Sequence, residues 1–87
     1  MRQIVKDMLK CEELAHVFNN QLCVDDNKTP DEYTDHEIID EAKYQLSLYY
    51  ESGTTNNEMF MGEWSKDEQK QAKREVQQIK RFLAKYA

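Results

Sequence analysis

Chain breakers are scarce in this sequence: two Gly and one Pro occur in 87 residues, too few for a β-rich or loop-rich fold. Cysteine is scarce too, and Cys11 and Cys23 cannot staple a secreted disulfide scaffold, so reduced thiols are expected. No apolar run reaches the length of a signal-peptide core or a membrane span, and the opening Met1-Arg2-Gln3-Ile4-Val5-Lys6-Asp7 carries charge into its first turn. A cytoplasmic protein without a membrane anchor is the expectation. Also missing are a Gly-rich phosphate loop, a His-Glu-x-x-His pair, a Cys-x-x-Cys pair and a nucleophile elbow. A chain this short has little volume for a closed pocket, and no acid, base and nucleophile converge in its pattern. No enzyme is expected: no catalytic residue, cofactor or metal site is assigned.

What the chain does have is charge, unevenly placed. Residues 1–64 hold 5 Lys/Arg against 14 Asp/Glu, whereas residues 65–87 hold 7 against 3. An acidic body joined to a basic C-terminal segment predicts that the segment packs on the body, or that each meets a different partner. A domain of this size buries only about 60–65% of its unfolded surface, so self-association or a partner would add stability.

Helical periodicity runs through both ends. Ile4, Met8, Cys11, Ala15, Phe18 and Leu22 recur at alternating steps of four and three, and Val5, Leu9, Leu14 and Val17 widen the seam, predicting a helix over residues 2–22. The pattern stops at Cys23, and Asp25 to Glu32 holds turn formers and the only Pro, so residues 23–33 read as a loop. Thr34-Asp35-His36-Glu37 is a capping box, in which the Thr hydroxyl and Glu carboxylate satisfy amides left unpaired in a first helical turn. It opens a second helix over about 35–52, with a main apolar stripe of Ile39, Ala42, Leu46 and Tyr49 and with Gly53 placed as a left-handed cap. Ser65-Lys66-Asp67-Glu68 repeats the box, and Ala72, Val76, Ile79, Leu83 and Tyr86 continue a third helix over 65–86. The expected fold is one all-α domain over 1–87: a three-helix bundle, or a helical hairpin with an added N-terminal helix. Heptad-like seams serve an intramolecular bundle and a dimer equally well.

Three charged constellations invite chemistry. Asp25, Asn27, Thr29 and Asp31 alternate as in a calcium loop, but Pro30 stands at the sharp-turn Gly and His36 at the terminal Glu, so a solvated acidic turn is expected instead. Cys11, His16, Cys23 and His36 match no zinc spacing. The acidic stretch containing Asp35, Glu37, Asp40 and Glu41 has the spacing to imitate nucleic-acid phosphates in a basic groove, against the plainer reading of acids favoured by a helix N-terminus. Lys66, Lys70, Lys73, Arg74, Lys80, Arg81 and Lys85 make the last helix basic, but the acidic body would repel nucleic acid, so direct binding to it is not expected.

Met59, Phe60, Met61 and Trp64 crowd the end of an otherwise polar linker. Met and aromatic side chains adapt to partners and dominate interface energetics, and they also plug the ends of small bundles; either role, or both, suits this cluster.

The runs Glu41-Ala42-Lys43-Tyr44-Gln45-Leu46, Tyr50-Glu51-Ser52-Gly53, Met61-Gly62-Glu63 and Gln78 to Tyr86 resemble small uncharacterised accessory proteins of tailed bacteriophages, across residues 34–86. That resemblance implies a small helical protein that serves host takeover or evasion of bacterial defences by binding a host protein. It carries no site residues with it.

The leading expectation is an acidic protein-interaction module, of the kind that inhibits or modulates a host protein. Its contact residues would be Met59, Phe60, Met61, Trp64, Asp35, Glu37, Asp40 and Glu41. Two alternatives stay open: a self-assembling structural helical protein, and an oligomer that binds a small ligand between chains.

Overall fold

A computed structural model describes residues 1–50 and 64–87 of the chain. Its best-announced element is the last, here α5, spanning Lys66–Tyr86. Ser65 Oγ accepts from the Glu68 amide at 3.2 Å, while Glu68 Oε1 accepts from the Ser65 amide at 3.2 Å, closing the expected box. The seam buries Ala72, Val76 and Ile79, and Phe82 completes it where Leu83 was expected; Leu83 and Tyr86 are partly buried at its edge.

The helix after Thr34, α4, spans Asp35–Leu48 and opens on the same device, with bonds of 3.1 and 2.9 Å. It differs from expectation in two ways. Of the expected stripe Ala42 is buried, but it is joined by Ile38 and Gln45, while Ile39, Leu46 and Tyr49 are only partly buried and pack beside the core. Ile38 and Ile39 are equally apolar neighbours on the helix, and only the position of the neighbouring helices selects between the faces they head. Buried Gln45 is tolerated because its Nε2 donates to Glu41 at 3.0 Å. The helix also stops at Leu48, with Tyr49 as its right-handed cap; Gly53 and the rest of the expected end lie outside the described residues.

The single helix expected over 2–22 is three pieces. α1 spans Gln3–Leu9 and α2 spans Glu12–Val17, and between them Cys11 is extended, with φ −83° and ψ 116°. No Gly or Pro causes this break. The Cys11 side chain is buried beside α5, its thiol lying 3.5 Å from the Gln78 carbonyl oxygen and 3.7 Å from that of Asp7. The Glu12 amide, an unpaired donor at the start of α2, donates to Gln78 Oε1 at 2.9 Å. The cap therefore comes from another helix. Beyond α2 the chain continues as a π-helical turn, Phe18–Leu22, and then α3, Cys23–Asp26, so helix extends into the expected loop. Asn27, left-handed at φ 53°, ends it, and the Lys28 amide reaches back to the Cys23 carbonyl at 3.0 Å in Schellman fashion. A 3-10 turn, Pro30–Glu32, leads to Thr34.

The fold is all-α, and α1, α2, the π turn, α4 and α5 all send buried side chains into one core. Val5, Met8, Leu14 and Phe18 from the N-terminal segment meet Ile38 of α4 and Ile79 of α5 there. Tyr33, read from sequence as loop, is 5% exposed and stands edge-on to Phe18 with ring centroids 5.2 Å apart. The basic helix packs on the acidic body: Arg74 forks onto Glu12 at 2.8 and 2.9 Å, and Lys85 meets Asp7 at 2.8 Å, where the Tyr86 hydroxyl also donates. None of the described helices is long and apolar enough to cross a membrane.

Candidate functional site

Side chains of α4 that do not enter the core form a second stripe. Glu37, Glu41, Tyr44 and Leu48 recur at steps of four, three and four, with Asp40 beside them, so successive turns place them along one flank of the helix. Three carboxylates occupy its N-terminal half; Tyr44 and Leu48, 57% and 58% exposed, occupy its C-terminal half.

Opposite this flank stands the π turn. An extra residue in a helical turn is rare, costs regular hydrogen bonding, and is found disproportionately at functional sites. Here its first and last residues, Phe18 and Leu22, face Glu37, Asp40, Glu41 and Tyr44 across a groove of about 370 Å³ that Asp26 and Tyr33 complete. Tyr33 links floor to rim: its ring packs on Phe18 and its hydroxyl donates to Asp26 Oδ2 at 2.8 Å. Burial, with the Asp26 carboxylate bonded to it, pushes the Tyr33 phenol well up, so it remains a donor. The Thr34 amide and hydroxyl hold the Glu37 carboxyl below its usual range, with the Lys28 charge assisting. Lys28 itself lies over the Tyr33 ring, 5.2 Å from its centroid. The result is an open groove with an aromatic and aliphatic floor and four carboxylates at its edge.

No protein-family model, curated protein or solved structure matches this chain.

Of the contact residues expected from sequence, Glu37, Asp40 and Glu41 are brought together here, each with a local bond: Glu37 in the capping box, Asp40 to His36 at 3.1 Å, Glu41 to Gln45. Asp35 does not line the groove; it pairs with Arg2 at 2.7 Å, and Arg2 also donates to the Tyr33 carbonyl. Trp64 is partly buried just ahead of α5, its carbonyl accepting from Gln69 Nε2 at 3.0 Å, and is not a lining residue either. Met59, Phe60 and Met61 lie outside the described residues. Asp26 belongs to the acidic stretch that the sequence offered as a surface; Phe18, Leu22, Tyr33 and Tyr44 join the site without having been expected there. The spacing from Glu37 to Leu48 was legible, but nothing in the sequence announces the π turn that faces it.

A second groove, about 320 Å³, runs between α1 and α5 and is lined by Asp7, Lys10, Cys11, Gln78, Arg81 and Lys85, among others. Asp7 anchors it: bonds from Lys85 first, then Tyr86, hold its carboxyl far below the usual range. The Cys11 thiol is pushed up to about 11 by burial and then by the Asp7 charge, which leaves it protonated at neutral pH and weakly nucleophilic. Among the described residues, Cys11, Cys23, His16 and His36 do not gather into a metal-binding group, and neither do any other three His, Cys, Asp or Glu side chains. The alternating residues of the acidic turn separate as well, Asp25 into α3, Asn27 into the left-handed cap and Asp31 into the 3-10 turn.

Proposed function

We propose that this protein is a protein-interaction module whose α4 groove docks a basic, amphipathic segment of a partner protein. One observation carries the reading: Asp26, Glu37, Asp40 and Glu41 converge on a groove floored by Phe18, Leu22 and Tyr33, with exposed Tyr44 and Leu48 extending it along α4. Carboxylates at a rim steer and orient cationic partners, and aromatic side chains beside them supply contact area and cation–π attraction. A partner helix with Lys or Arg one turn apart from an aliphatic anchor has the chemistry this stripe complements. The resemblance to phage accessory proteins extends the proposal to an inhibitor or modulator of a host protein, acting in the bacterial cytoplasm.

Tagged protein captured from bacterial lysate, with and without nuclease, tests it. One nuclease-insensitive protein should be retained in stoichiometric amount, and Asp40→Lys with Tyr44→Ala should lose it while helical circular dichroism is unchanged. Retention that ignores both substitutions, or that vanishes with nuclease, refutes the assignment of the groove.

A further inference from the structure

The outward face of α5 is as one-sided as the α4 groove, with the opposite sign. Ala72, Val76, Ile79 and Phe82 turn into the core; on the reverse side Lys66, Lys70, Lys73, Gln77 and Arg81 follow at steps of four, three, four and four, all exposed. Asp67, Glu68 and Glu75 lie off this line. Cations on its flanks are used within the chain, Arg74 by Glu12 and Lys85 by Asp7, and Lys80 lies 5.7 Å from the Tyr50 ring centroid. Among the described residues Lys66, Lys70, Lys73 and Arg81 make no ion pair.

We infer that the α4 groove of one copy receives the outer face of α5 from a second copy, forming a salt-sensitive dimer that covers the groove. The inference rests on reading that groove as a docking site and names what occupies it when no other partner is present. Cations one helical turn apart, Lys70 and Lys73, meet carboxylates one turn apart, Glu37 with Asp40 and Glu41. Each chain carries both surfaces, on helices that pack together; in a two-fold arrangement the contact is made twice and the assembly closes on itself. The formal charge of −5 on each copy opposes association at long range, and the local match of opposite sign acts at contact. Partner capture and self-association then compete for one surface, so partner affinity falls as protein concentration rises.

Sedimentation of the whole chain over a range of concentration, at ~0.02 M and ~0.5 M salt, reads the equilibrium under weak and strong screening. A dimer should form at low salt and weaken at least tenfold at high salt. Lys70→Glu with Lys73→Glu, and separately Asp40→Lys, should each give a folded monomer, and mixing the two should restore a heterodimer. If either charge-reversed chain fails to fold, Lys70→Gln with Lys73→Gln replaces it and should still weaken the wild-type dimer. A monomer at every salt concentration, a dimer indifferent to both reversals, or a mixture that stays monomeric overturns the inference. So does a monomer whose α5 stripe instead retains a DNA duplex. A monomer that still captures its protein partner through Asp40 and Tyr44 removes the dimer and leaves the proposed docking function standing.

Discussion

Gln78 is a surface glutamine in sequence and a structural cap in the fold, and replacing it with Ala separates the two. Its Oε1 accepts from the Glu12 amide at 2.9 Å and its Nε2 donates to the Glu12 carboxylate at 3.0 Å. Loss of a side-chain cap from a helix N-terminus costs about 0.5–2 kcal/mol, and the second bond, to an exposed carboxylate, adds only a few tenths, so Gln78→Ala should destabilise by about 1–2 kcal/mol. In a domain of this size that lowers Tm by roughly 5–12 °C. Gln77→Ala, one residue earlier on the outward face, serves as the control and should stay within about 0.5 kcal/mol of wild type. Thermal unfolding followed by circular dichroism reads both. Because the principal bond goes to a backbone amide, the effect should survive largely intact in a Glu12→Ala background, where a purely side-chain interaction would vanish. Equal melting of Gln78→Ala and Gln77→Ala would refute the idea that a residue of α5 holds the break between α1 and α2.

Phe18→Ala removes a fully buried ring from the turn that faces the groove and should cost about 3–5 kcal/mol, a large part of a typical domain's stability, as seen in denaturant unfolding. Tyr33→Phe keeps the ring on Phe18 and deletes only the bond to Asp26; a loss of about 1 kcal/mol is expected, and a loss as large as that of Phe18→Ala would contradict it. Bonds from Lys85 and Tyr86 lower the folded-state pKa of Asp7, so its contribution is fully present above the unfolded carboxylate pKa of about 4 and drains away as pH falls through the folded value. Asp7→Asn should therefore flatten the acid limb of a stability-versus-pH curve. Thiol labelling at neutral pH should modify partly buried Cys23 first and buried Cys11 only when the fold opens; equal rates would contradict the burial that raises the Cys11 pKa.

The features written into the chain itself are those whose physics is local. Thr34 and Ser65 start their helices because each hydroxyl, with the Glu three residues on, satisfies amides of its own first turn. Ala72, Val76 and Ile79 were legible as one buried face because α5 is long and regular, and the charge imbalance left docking on the acidic body as one of two readings, which the pairs from Arg74 and Lys85 realise. The acids of the candidate groove on α4 were legible for the same reason, as a spacing along one helix. Other features were decided only when distant segments met. Cys11 sits in an unbroken helical pattern, and the chain nevertheless breaks there because Gln78, sixty-six positions beyond Glu12, supplies the amide partner that a continuing helix would otherwise have supplied. Two neighbouring isoleucines on α4 compete for burial, and Ile38 wins over Ile39 through the placement of Phe18 and Ile79 in the shared core. Tyr33 follows a run of turn formers, yet its ring fills the core against Phe18 while its hydroxyl keeps a carboxylate at the surface. The groove joins residues from the π turn, Tyr33 and α4, and a periodicity within any one segment carries no information about which flank will face another.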